Sequence, residues 1–350
     1  MGVAGRIVGI AAGLAAAGVG AGLGARIAQQ RRALAARDET EPVRLGSLHS
    51  TPLTVITSDG VPLHVEIDEP ESGTSPLTVI FAHGYALNLD CWHFQRLAYR
   101  GLFRCVFYDQ RSHGRSGRST PGNATIDQLG RDLRQIIEET APEGPVAVIG
   151  HSMGGMTIFA LAEQHPELFG DRIVAAGLIA TTAGDLDLEK LLLPFMPSNV
   201  GADLLRRTVT LLARGHRTID SLRRVSRDIA LVATNDFAFG DQVPEEYVEF
   251  VDQMLQQTPF QVISEFFPNF STLDKYAAAA ALSEVPTTII CGTDDKLTAV
   301  GHSRKLHSLI AGSDLLECEG AGHLVILERH DQVNAALDQL FAAAVPLGGR

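Results

Sequence analysis

The chain has 350 residues, a net charge of −12 and 45% hydrophobic residues, enough for one large domain or one domain carrying a sizeable insertion. The acidic balance argues against nucleic acid as a partner. The four cysteines, at positions 91, 105, 291 and 318, are too widely spaced for a zinc site or a small disulfide scaffold. Cys105 and Cys291 fall in apolar, strand-like runs and read as buried free thiols, compatible with a reducing compartment.

Residues 7–25 form a run of nineteen uncharged residues, nearly all Ala, Gly, Val, Leu or Ile. Glycines at 5, 9 and 13, and again at 18 and 22, have the small-xxx-small spacing of close-packed membrane helices. The length just reaches that of a membrane span, but so much Gly and Ala makes the run weakly hydrophobic. Three readings stand: an uncleaved membrane anchor, a signal peptide or a loose extension. Arg26, Arg31, Arg32 and Arg37 follow the run, whereas only Arg6 and the amino terminus precede it. An anchored chain would therefore keep its body in the cytoplasm, and a signal peptide carries the opposite bias. Residues 1–47 are read as this segment plus a polar linker.

Leu53–Thr57 and Val61–Ile67 flank Ser58-Asp59-Gly60, a hairpin signal. Leu77–Ala82 and Phe103–Asp109 are continuous apolar runs of the kind found in buried strands. Thr125 and Gln128 have capping-box spacing, and Ile126, Leu129, Leu133, Ile136 and Ile137 then mark an amphipathic helix. Further strands are expected at Pro145–Gly150, Ile173–Ala180, Thr287–Cys291 and Asp314–Cys318. A closing helix is marked by Val333, Ala336, Leu337, Leu340 and Phe341. Strands alternating with helices predict an α/β fold: a mostly parallel sheet with helices on both faces and an antiparallel hairpin at its edge.

Residues 185–284 break the rhythm. They show no clear strand. Helical apolar runs such as Leu204–Leu212 and Tyr247–Leu255 replace it, and eight of the fifteen phenylalanines fall here. The stretch reads as a helical cap inserted between two strands of a core formed by residues 48–184 and 285–350.

Between the strand ending at Gly150 and a helix that stops before Pro166 lies Gly150-His151-Ser152-Met153-Gly154. A serine with glycine two residues before and two after, at a strand-to-helix turn, is the nucleophile-elbow pattern. Ser152 is exposed there in a strained backbone, and glycines at 150 and 154 avoid collision with the neighbouring strand and helix. The Met153 N–H lies at a helix N-terminus, where it can stabilise developing negative charge.

A serine hydroxyl needs a base to become a nucleophile. His323, in the Gly322-His323 loop after the last strand, is the candidate. His113 is the runner-up, but it precedes the elbow and breaks the usual order. The histidine needs an acid to hold its tautomer. Asp294 and Asp295 leave the preceding strand, and all three groups lie at carboxyl ends of strands, where open α/β sheets build their sites. A second oxyanion donor belongs in the loop after the third strand, and the Tyr85 N–H beside Gly84 fits. His83 reads as a residue that holds this loop by hydrogen bonding. There is no His-Glu-x-x-His or clustered Cys/His pattern, so no metal or organic cofactor is expected.

His83-Gly84-Tyr85, Asp109 to Ser116, Gly150-His-Ser-Met-Gly-Gly155, Gly292-Thr-Asp-Asp295 and Gly322-His323 match, in order and spacing, the motifs of the α/β-hydrolase family with a cap domain. The resemblance covers roughly residues 48–350. Its acid stands three residues past the glycine, which favours Asp295. The Gly-His-Ser-Met-Gly-Gly form is similar to that of esterases and monoacylglycerol-type lipases. The resemblance therefore implies a serine hydrolase with Ser152, Asp295 and His323 as triad and Tyr85 and Met153 as oxyanion donors, acting on a small apolar ester. Other branches run lactone, carbon–carbon or cofactor-free haloperoxidase and perhydrolase chemistry on the same triad. A non-catalytic ligand-binding member is the reading from another class. Serine at the elbow argues against the epoxide hydrolase and dehalogenase branches, which use aspartate. Oligomeric state is not legible.

Overall fold

The structure is a computed structural model, and it describes residues 43–71, 73–120, 122–186 and 238–344. The apolar run at 7–25 and the Leu204–Leu212 run lie outside these residues. Among the described residues, no helix is long and apolar enough to cross a membrane.

Eight strands form one sheet: β1 (Pro52–Ile56), β2 (Pro62–Asp68), β3 (Thr78–Ala82), β4 (Arg104–Tyr108), β5 (Val146–His151), β6 (Ile173–Ile179), β7 (Thr287–Gly292) and β8 (Asp314–Cys318). Their order is β1-β2-β4-β3-β5-β6-β7-β8. β1 pairs antiparallel with β2, and β2 with β4; every other pair is parallel. This is the mostly parallel sheet with an antiparallel edge that the strand–helix alternation implies.

The side-chain period of two divides the core. Val79 and Phe81 of β3 and Ala147 and Ile149 of β5 point to one face, where Trp92, Tyr99 and Phe341 pack. Ile80 and Ala82, with Val146 and Val148, point to the other, where Leu133, Ile136 and Phe159 pack. Because helices cover both faces, β3, β5, β6 and β7 are buried along their whole length. That burial is why their sequences are unbroken apolar runs. All four cysteines are buried and free.

The longer helices among the described residues are α1 (His93–Tyr99), α2 (Ile126–Thr140), α3 (Met153–Gln164), α4 (Glu245–Gln257), α5 (Phe260–Ser271), α6 (Val300–Leu309) and α7 (His330–Ala344). α2 buries the expected Ile126, Leu129, Leu133, Ile136 and Ile137. Only half of the expected capping box is present. Thr125 Oγ1 accepts from the Gln128 N–H at 3.1 Å, but the Gln128 side chain donates to Asp132 Oδ1, also at 3.1 Å, instead of reaching back to the cap. Asp132 is buried against Arg111 and draws the amide inward.

α4 and α5 lie in the chain between β6 and β7. Val262, Phe266 and Phe270 of α5 sit against Met153 and Met156 at the start of α3. Val248, Phe250, Val251 and Met254 of α4 join the core cluster that holds Leu87 and Leu89. The chain leaves and re-enters the core through one clasp: Gly184 bridges Asp274, and Lys275 N–H donates to the Ala183 carbonyl at 2.7 Å.

α3 starts so close to β3 that a side chain at Gly154 would overlap the Ala82 carbonyl oxygen. That neighbour is backbone and cannot move aside. Gly154→Ala should therefore cost more than about 2 kcal/mol of stability through overpacking. Gly301→Ala, in α6 with nothing within 4 Å, should be neutral or stabilising by up to about 1 kcal/mol, since alanine is the better helix former. Urea unfolding of the two variants checks the contrast, and equal effects would show that the close approach is not what fixes glycine at 154.

Candidate active site

Ser152 is the residue between β5 and α3. It has φ 52° and ψ −117°, a backbone region that side chains other than glycine's rarely occupy and that costs on the order of 1–3 kcal/mol. Hydrogen bonds hold it there. Ser152 N–H donates to the Ile179 carbonyl at 2.9 Å, and the Ser152 carbonyl accepts from Gly155 N–H at 2.9 Å and Thr181 Oγ1 at 2.7 Å. A side chain at Gly150 would meet the backbone of Gly154 and Gly155. The turn thus requires the glycines that the elbow pattern places there.

His323 reaches this serine from the loop after β8. Its Nε2 lies 2.9 Å from Ser152 Oγ, and its Nδ1 lies 2.9 Å from Asp295 Oδ2. Asp295 is buried, while Asp294 is exposed. Asp295 Oδ1 accepts from the N–H groups of Leu297 and Thr298 at 2.8 and 2.9 Å, and Oδ2 accepts from Thr298 Oγ1 at 2.7 Å. Burial opposes its ionisation, but the facing His323 and the Thr298 donors outweigh burial and hold the carboxyl at about 2. A carboxylate so placed fixes Nδ1 as the protonated ring nitrogen, leaving Nε2 to accept from the serine. The structure therefore brings Ser152, His323 and Asp295 together, and Met153, the first residue of α3, has no intrahelical acceptor for its N–H. Tyr85 follows β3 in the adjacent loop, where its ring meets Phe270 edge-on at 4.9 Å.

His113 is not part of this chain of bonds. Its Nδ1 is 2.9 Å from the Arg111 carbonyl, and its Nε2 is buried with no hydrogen-bond partner among the described residues. His83 holds the loop after β3 from both sides. Its Nε2 accepts from Gln110 N–H at 2.9 Å, so its Nδ1 carries the proton given to the Gly84 carbonyl at 2.7 Å. Among the described residues, no group of three or more His, Cys, Asp or Glu side chains is arranged to hold a metal ion.

Sequence reasoning missed three supports. Thr298 supplies two of the three donors that Asp295 has besides His323; no motif marks it. Thr181 bonds the Ser152 carbonyl from the end of β6. His151, inside the elbow pattern itself, lies 2.9 Å through Nε2 from the His323 carbonyl and so ties the elbow to the base's loop. Its position next to the serine was the available signal.

The α/β-hydrolase fold family model matches residues 78–330. The chain belongs to that family. The curated relatives it resembles are matched over only part of their length. Epoxide hydrolase 1 of Caenorhabditis elegans is 32% identical over 31% of this chain and 26% of that protein. The bifunctional esterase/perhydrolase DCH of Acinetobacter calcoaceticus is 32% identical over 36% of this chain and 43% of that protein. The chain thus matches about a quarter and about two fifths of the length of these two relatives. The solved enol-lactonase from Burkholderia xenovorans superimposes with a TM-score of 0.65, covering 83% of this chain and 99% of its own, at 23% identity. That likeness is one of fold.

Three fully buried histidines surround the site. Burial pushes His83 down to about 4, and burial plus a neighbouring imidazole pushes His113 and His151 to about 3, all from an ordinary 6.5. Each stays neutral when folded but takes a proton when unfolded below about pH 6.5. The unfolded state then binds more protons, so stability is lost as pH falls, by up to about 1.4 kcal/mol per histidine per pH unit. His113→Phe should flatten the loss between pH 6.5 and 5 by one histidine's share. Carboxyls raised by burial, such as Asp109 and Asp132, act alike in both proteins and drop out of the difference. Urea unfolding at stepped pH measures it, and parallel curves would refute the assignment.

Proposed function

We propose that the protein is a serine hydrolase that cleaves carboxylic esters through an acyl-enzyme. The observation that carries this reading is the unbroken chain from Ser152 Oγ to His323 Nε2 and from His323 Nδ1 to Asp295, with 2.9 Å at both links. Ser152 Oγ attacks the ester carbonyl while His323 takes its proton. The oxyanion that forms is held by the N–H groups of Met153 and Tyr85, donors fixed before the charge appears. His323 then protonates the departing alcohol. A water molecule, deprotonated by the same nitrogen, releases the acid. Asp295 keeps the ring oriented and stabilises the imidazolium.

Residues 185–284 act in this reading as a cap over the site. Support comes from Val262, Phe266 and Phe270, which lie against Met153 and Met156 in the turn that follows the nucleophile. An apolar cap suits moderate to long acyl chains, because each buried methylene contributes about 0.8 kcal/mol. Relatives named for esterase, perhydrolase and enol-lactonase activity are consistent with an acyl carbonyl as the reacting centre.

Ser152→Ala and His323→Ala should lower kcat on the order of 10⁶-fold, and Asp295→Asn on the order of 10⁴-fold. Asp294→Asn, at an exposed carboxylate, should be mild. Across p-nitrophenyl esters, kcat/KM should rise from acetyl to at least hexanoyl. Substantial turnover by Ser152→Ala would overturn the reading. Acetyl esters turned over fastest would remove the long-chain part of it, and activity confined to lactones or peracid formation would move the protein to another branch.

For residues 7–25 we propose a membrane-associating segment that leaves the body in the cytoplasm, supported by the uncharged run and the arginines behind it. Full-length protein should sediment partly with membranes, and a chain begun at Leu48 should be soluble and active. Full-length protein found wholly in the supernatant with its amino terminus intact would remove this proposal.

A further inference from the structure

The loop after β3, which carries the proposed second oxyanion donor, is held on its outer side by the insertion. Thr258, between α4 and α5, is 2% exposed, and its hydroxyl donates to the Ala86 carbonyl at 3.0 Å. Ala86 has φ 59°, a left-handed backbone that alanine adopts at a cost. One residue earlier, the Tyr85 hydroxyl donates to the Ile263 carbonyl in α5. Two residues later, Asn88 Nδ2 donates to Gln257 Oε1 at 3.2 Å at the end of α4. Three side-chain bonds thus join residues 85–88 to residues 257–263. Beneath the loop, Gly84 passes so close to His151 that an added Cβ would lie 2.8 Å from its Nδ1.

We propose that Thr258 is a positioning residue of the oxyanion site: its hydroxyl fixes the strained Ala86 peptide and thereby aims the Tyr85 N–H at the developing charge. The inference rests on the serine-hydrolase reading above and deepens it. The physical argument concerns geometry. An oxyanion donor works only within about 2.7–3.1 Å of the developing charge. One peptide, Tyr85–Ala86, separates the plane carrying the Tyr85 N–H from the plane carrying the Ala86 carbonyl, so a change in the backbone angles at Ala86 is passed through Tyr85 to that amide. Nothing in this role requires Thr258 to touch substrate. Its loss should spare ground-state binding and weaken the transition state, the signature of an interaction made only there.

The test compares Thr258→Val, which keeps the shape and removes the hydroxyl, with Thr258→Ser, which restores it. Steady-state kinetics on a p-nitrophenyl ester and inhibition by a trifluoromethyl ketone, which mimics the tetrahedral intermediate, are the readouts. Thr258→Val should lower kcat on the order of 10- to 100-fold with KM within about twofold, a partial loss compared with deleting a donor outright. The ketone should lose affinity by the same factor, and Thr258→Ser should recover most of both. Tyr85→Phe, which keeps the backbone N–H and removes the bond to Ile263, gives an independent variant should the valine protein fold poorly. It should show the same split between kcat and KM. If Ser152→Ala is inactive while Thr258→Val and Tyr85→Phe keep kcat within twofold, the positioning role is wrong and the serine-hydrolase reading stands. A change confined to KM, or no recovery with serine, also overturns it. If Ser152→Ala retains turnover, the hydrolase reading fails and this inference fails with it.

Discussion

The turn at Ser152 is the constraint from which the site follows. A strand and a helix meet there with one residue between them, and that residue takes a backbone conformation that few side chains tolerate. The strain is offset by bonds from β6 through Ile179 and Thr181. Those bonds exist only if β6 lies beside β5, and the parallel register supplies that neighbour. The close approach of α3 to β3 then sets which positions near the turn can carry a side chain. Elbow, sheet order and glycine pattern are therefore one constraint expressed three times.

The electrostatics of the site are economical. Asp295 is ionised because it faces His323 and collects three hydrogen bonds, enough to overcome burial. Burial dominates at the imidazoles of His151, His83 and His113 and keeps them neutral, at His151 against the pull of Asp295. One fixed negative charge thus faces one imidazole, with neutral rings around them. The same neutrality settles the His83 tautomer, since a ring with one N–H must donate to Gly84 and accept from Gln110.

Much of this was legible because local rules and the global fold agree. Unbroken apolar runs marked the central strands, since a sheet covered on both faces has no polar side. Strand ends were right to within a residue or so: β1 and β2 shift by one residue in opposite directions about the Ser58–Gly60 turn. Spacing alone left Asp294 and Asp295 open, and only the resemblance favoured the second. Burial separates them, and burial depends on which way the loop after β7 turns. Thr258 and Thr298 were invisible for a related reason. A threonine that bonds a backbone carbonyl or a carboxylate has no spacing signature, because its partner is chosen by tertiary approach. The capping box at Thr125 was half wrong because Arg111, fourteen residues upstream, had already drawn Asp132 and then Gln128 inward.

The insertion makes the same point from the other side. Its phenylalanines mark an apolar stretch in the sequence, and Phe266 and Phe270 are themselves buried in packing. The insertion also carries backbone consequences. Gly240 lies so close to Gly320 and Ala321 that a side chain there would overlap them, and Leu324 N–H donates to the Ala238 carbonyl at 2.9 Å. Glu328 accepts from the N–H groups of both Gly240 and Gly322, at 3.1 and 2.7 Å, bracketing the loop that carries His323. Residues 238–263 therefore touch two loops of the proposed chemistry: the loop of the base and the loop of the oxyanion donor. A segment in that position cannot shift without changing both loops. In the proposed reaction its geometry would bear on the placement of the base and the oxyanion donor as well as on the substrate admitted.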